Sequence, residues 1–130
     1  MNKLSRLLIS CCISGSLLCT VAKAATASGH DACAAAEETG VTATILDCLG
    51  TENSKADKRL NAVYKSTMAR LDASGKERLR NEERQWIKVR DAKCNAAGKE
   101  FDGGSLQQVE QSSCFVDATK ERVHAIEGFH

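Results

Sequence analysis

Apolar residues recur along this chain at steps of three and four, and no stretch alternates apolar and polar positions in a run of β-branched types. Between Ser54 and Leu71 the apolar positions are Ala56, Leu60, Val63, Tyr64, Met68 and Leu71. Leu79, Trp86 and Cys94 share one face of the next stretch, with Arg90 among them. Leu106, Val109, Val116, Thr119, Val123 and Ile126 form a heptad-like stripe that needs partner helices. There is no proline to break these patterns.

Capping residues place the boundaries. Residues 31–38 predict a short helix ending near Gly40, and Thr42 to Cys48 a second one stopped by Gly50. Ser54 with Asp57 resembles a capping box that opens a helix to about Leu71. Ser74 with Glu77 opens another to about Ala97, and Ser105 with Gln108 a last one to about Ile126, after a turn at Phe101–Gly104. The predicted class is all-α: a small disulfide-stapled helical bundle of three main helices plus two short N-terminal ones.

The first residues follow another rule. Lys3 and Arg6 precede an uncharged apolar stretch from Leu7 to Val21, and Ala22-Lys23-Ala24 offers small residues at a cleavage site. This predicts a signal peptide, residues 1–24, followed by a single domain, 25–130. The apolar stretch is short for a bilayer span of ~20 residues, which argues against a lasting membrane anchor. Leu8-Ile9-Ser10-Cys11 is only a loose lipoprotein box. Cleavage would remove three basic residues and no acid, leaving 15 Lys and Arg against 17 Asp and Glu, a net charge of −2. That balance provides no basic face for nucleic acid.

Four cysteines remain after cleavage: Cys33, Cys48, Cys94 and Cys114. An even number in a small exported chain predicts two disulfides. In a hairpin turning at Gly103-Gly104, Cys94 and Cys114 lie nearly level, so Cys94–Cys114 and Cys33–Cys48 are favoured. Cys48–Cys94 is the competing pairing, level across the turn at Ser74-Gly75. Neither CxxC nor histidines at metal-binding spacing occur, so the chain predicts no metal and no cofactor. Glu37-Glu38 and Glu82-Glu83 diverge around a helix rather than forming a carboxylate pair, and His124 stands alone. No catalytic residues are expected.

Within Arg84–Cys94, Trp86 and Arg90 are four residues apart, which places a guanidinium over the indole. The expected role is structural, with Trp86 at the core centre and Arg90 as its brace; the rival role is an exposed hot spot. Trp86-x-x-x-Arg90-Asp91-x-x-Cys94 resembles a signature of the LprI-type lysozyme inhibitor family. Ala56-Asp57-x-x-Leu60-Asn61-x-x-Tyr64 and Thr119-x-x-Arg122 are similar to further parts of its pattern, and Cys33, Cys48, Gly103-Gly104 and Cys114 fall in the matching order. The resemblance spans nearly all of the mature chain. It implies a bacterial periplasmic or secreted protein that binds and inhibits lysozyme or a related wall-cleaving enzyme. It implies no inhibitory residues.

An inhibitor of such an enzyme would place a cation or hydroxyl from a rigid projection between the two cleft carboxylates. The candidate projections are the expected turns at Thr51–Lys55, Asp72–Lys76 and Lys99–Gly103. Lys99 with Phe101, near a cysteine, is the preferred surface; otherwise Lys99 is a solvated lysine at a helix C-terminus. Another class of envelope binding module, such as an immunity protein against a delivered toxin, has the same fold and compartment and remains the alternative.

Overall fold

The computed structural model describes residues 27–130. The expected leader, 1–24, lies outside the described residues. Five helices follow in order: α1 Gly29–Ala32, α2 Ala34–Glu37, α3 Thr42–Arg70, α4 Ala73–Lys99 and α5 Leu106–Glu127. The three long ones run up, down and up. Among the described residues there are no strands.

Both α3 and α4 pack along α5, and they scarcely touch each other. The bundle is therefore open on one side. Its core has two parts. Near the α3 N-terminus, Cys33, Ile45, Leu49, Val109 and Val116 cluster. Toward the other end, Leu60, Val63, Leu79, Val123 and Ile126 cluster, with Tyr64, Met68, Leu71, Trp86 and Phe129 partly buried against them. Leu106, expected on the buried stripe, is 48% exposed because it lies at the start of α5, beyond the packed part of the seam.

Helix α3 differs from the sequence expectation. Gly50 does not stop it, and residues 42–48 and 54–71 are one continuous helix of 29 residues. The reason is burial. Ile45, Leu49, Ala56, Leu60, Val63 and Thr67 keep helical phase through the glycine. A helical glycine costs only ~1 kcal/mol relative to alanine, less than burying one leucine contributes. Ser54 and Asp57 are thus interior residues and cap nothing, and Thr51–Lys55 is helix rather than turn. The two short N-terminal helices are α1 and α2, which meet at Cys33. Ser28 caps α1 in a capping box with Asp31.

Two more caps differ. Asp72, not Ser74, caps α4: its Oδ1 accepts from the Gly75 amide at 2.7 Å. The helix starts early enough to leave Ser74 inside its first turn. Ser105 stands at the N-cap of α5 in a helical conformation, and its side chain makes no cap hydrogen bond. The α4–α5 turn favours Gly103, whose φ of 77° lies in the left-handed region that side chains rarely adopt.

Disulfides join Cys33 to Cys48 and Cys94 to Cys114. The second links α4 to α5 across the hairpin; the first ties α1 and α2 to α3. Both lie toward the end that carries the α4–α5 turn. The chain before α1 is stitched to α5 as well: the Gly29 amide donates to Asp117 Oδ1 at 2.6 Å, and Lys120 Nζ to the Ala27 carbonyl at 2.9 Å. At the opposite end, Arg70 and Arg78 donate to the carbonyls of Phe129 and His130, each at 2.9 Å.

Candidate functional site

The open side between α3 and α4 is a groove of about 290 Å³. Asp57, Leu60, Asn61 and Tyr64 line it from α3, and Glu83, Trp86, Ile87 and Arg90 from α4. Six of these eight are residues on which the family resemblance rests. They meet because α3 and α4 are antiparallel and turn the same flank toward the gap above α5. The structure thus gathers motif stretches that lie far apart in sequence.

Trp86 is partly buried rather than central. The fully buried centre of its cluster is aliphatic, Leu79 and Ile126, while Trp86 packs against it and also faces the groove. Two arginines lie over its ring, Arg90 at 4.8 Å from the centroid and Arg122 at 5.9 Å. Arg90 also sits 5.3 Å from the Phe115 centroid. Its carboxylate partner comes from its own helix: Nε and Nη2 both donate to Asp91 Oδ1, at 3.0 and 2.8 Å. Arg122 crosses from α5 to pair with Glu83 on α4, with Glu82 farther away at 3.7 Å. Asn61 is exposed on the groove wall, and Thr119 is buried on α5.

Above this groove a second hollow of about 180 Å³ is lined by Leu46, Leu49, Gly50 and Asn53 of α3 with Ser112 and Phe115 of α5. Arg90, which lines the first hollow, stacks on Phe115, which lines the second. Sequence reading did not single out Gly50, Asn53, Glu83 or Ile87 as lining residues. The recurrence of Asn53, Asp57 and Asn61 at four-residue steps was the available signal.

Lys99 ends α4 and is exposed, and Phe101 is half-buried in the turn that follows. Val41 and Leu106, 51% and 48% exposed, stand at the same end of the bundle. On the other side of the α3–α5 seam, Lys55, Arg59, Lys120 and His124 line a hollow of about 410 Å³. Its cations are answered locally. The hydrogen bond from Lys55 holds Glu52 below the usual carboxylate range, and that from Arg59 does the same for Glu127. Among the described residues no cluster of His, Cys, Asp and Glu is placed to hold a metal ion, and no helix is long and apolar enough to cross a membrane.

The fold and site define a small disulfide-stapled helical module with a surface groove and an exposed apolar end. The lysozyme inhibitor LprI family model matches residues 33–126, and the chain belongs to that family. It is also similar to an uncharacterized protein of Rhizobium meliloti (strain 1021), 31% identical over 88 residues, covering 58% of this chain and 63% of the relative. The chain therefore spans less than two thirds of that relative's length. No solved structure matches.

Proposed function

We propose that this protein is exported and acts by binding lysozyme or a related peptidoglycan-cleaving enzyme, covering its cleft with the disulfide-held end of the bundle. The observation that carries this reading is membership of the lysozyme inhibitor family over residues 33–126. Two features support the choice of end. A projection that enters a cleft must not reorganise on binding, and both disulfides brace the helices that meet there. That end also combines exposed Val41 and Leu106 with the Lys99 cation and the Phe101 ring. Lys99 would meet the cleft carboxylates, and the apolar side chains would cover its walls.

The deciding experiment uses oxidised residues 25–130, titrated against c-, g- and i-type lysozymes in a wall-lysis assay with a parallel binding measurement. Inhibition of one type is expected, weakened by Lys99→Glu and Phe101→Ala without a change in melting temperature. Absence of both binding and inhibition at micromolar concentration with every type overturns the reading.

A further inference from the structure

The groove along α3 has its own chemistry, distinct from the exposed end. Asn53, Asp57 and Asn61 are spaced at four residues, so their side chains recur about every 6 Å along one wall. Tyr64 continues the row. Among the described residues the hydrogen bonds and ion pairs of α3 side-chain nitrogen and oxygen atoms are made by Thr51, Glu52, Lys55, Arg59, Ser66, Thr67 and Arg70, and not by these four. Opposite them are apolar and aromatic groups: Phe115, Trp86 and Ile87, the last 42% exposed.

The charges of this groove are largely matched in advance. Glu83 is held by Arg122, and Arg90 by Asp91. Of the charged groups lining the groove, Asp57 alone has no ion-pair partner among the described residues. A strongly charged ligand finds little net field here, whereas a neutral ligand rich in hydroxyl and amide groups finds donors and acceptors along one wall and flat apolar surface along the other.

Gly50 points the same way. It lies mid-helix on the α3–α5 hollow, where glycine is less favourable than alanine. Among the described residues nothing requires its small size: a Cβ built there meets no atom within 4 Å. Gly98 contrasts with it, because a Cβ there would lie 2.5 Å from Gln111 Cγ and 2.9 Å from the Gln107 carbonyl, so α5 explains that glycine. At Gly50 the described chain leaves open space in which a ligand could lie close against the helix backbone.

We infer that the α3–α4 groove, together with the α3–α5 hollow next to it on the same flank of α3, binds a neutral oligosaccharide of N-acetylated amino sugars. The row from Asn53 to Asn61 bonds its hydroxyl and acetamido groups, and the chain passes over Gly50. This site is separate from the surface proposed above for enzyme inhibition, and either can fail without the other.

Trp86 is the only tryptophan, so its emission reports directly on the groove. Tetra-N-acetylchitotetraose is titrated into the oxidised protein, with tetralysine as the comparison ligand. A saturable change in emission with a midpoint on the order of 0.1–1 mM is expected for the sugar. Asn61→Ala should weaken it roughly 5- to 10-fold, the loss of one or two hydrogen bonds. Gly50→Leu should abolish it, while Gly50→Ala raises the melting temperature by about 4 °C. No saturable change with the sugar overturns the inference. So does a change that survives both Asn61→Ala and Gly50→Leu. Tighter binding of tetralysine than of the sugar also overturns it and assigns the groove to a cationic peptide segment.

Discussion

The Arg90 guanidinium lies between two aromatic rings, 4.8 Å from the centroid of Trp86 on its own helix and 5.3 Å from that of Phe115 on α5. Its charge is answered by Asp91. This contact joins α4 to α5 midway along the seam, between a residue that lines one hollow and a residue that lines the other. Replacing Arg90 by lysine keeps the charge but loses the planar stack, and should cost about 1 kcal/mol in thermal unfolding. Trp86→Ala should cost about 2–4 kcal/mol, toward the lower part of the range for large aromatics because the ring is only partly buried. The double variant should lose less than the sum of the two. Strict additivity would show that the stack contributes nothing.

Gly98 is a packing glycine, and Gly98→Ala should destabilise the protein by about 1–3 kcal/mol. The Gln111 side chain can move aside, but the Gln107 carbonyl belongs to the α5 backbone and cannot. Denaturant unfolding of Gly98→Ala beside Gly50→Ala should give shifts of opposite sign. Shifts of the same sign would contradict the α4–α5 approach.

Removing the Cys94–Cys114 bridge, as a double serine variant, should cost ~3 kcal/mol, since it closes a loop of 20 residues. The effect of removing Cys33–Cys48 should be more local. Hydrogen exchange should then accelerate in α1 and α2 while the centre of the α3–α5 seam stays protected. Uniform acceleration across the chain would show that α1 and α2 belong to the cooperative core.

His30 gives a pH dependence. Burial pushes its pKa down, but the hydrogen bond and charge of Glu37, with the charge of Glu110, outweigh that and leave it above 6.5. Nδ1 lies 2.6 Å from Glu37 and Nε2 3.5 Å from Glu110, so the imidazolium links α1 to α2 and α5. Because the folded value exceeds the unfolded one, this stabilisation is fully present below pH 6.5 and is lost as pH rises through the higher folded value. The melting temperatures of the parent and His30→Gln should therefore differ at about pH 5.5 and converge at about pH 8.5. A difference independent of pH would remove His30 from this role.

The three- and four-residue spacing of apolar positions determined the all-α class and the seams, because burying one face of a helix requires that periodicity. The cysteine positions, read with the glycine turn, pointed to the two bridges now seen, since a hairpin places level residues together. The caps were less legible. Asp72 and Ser74 can each accept from a first-turn amide, and the actual start of α4 selected Asp72. Gly50 was misleading because glycine marks a helix end only where the burial beyond it is too weak to carry the helix on.

The candidate sites divide in the same way. The sequence contained Asp57, Asn61, Tyr64, Trp86 and Arg90 as motif residues, and their spacing placed each group on a helical face. It did not say that the two faces line a common gap. That was decided by α5, which takes both helices onto its own surface and keeps them from closing on each other. Local periodicity fixes which face of a helix is buried. Whether its flank meets solvent or a neighbour depends on how the helices cross, and only the packed tertiary structure sets that.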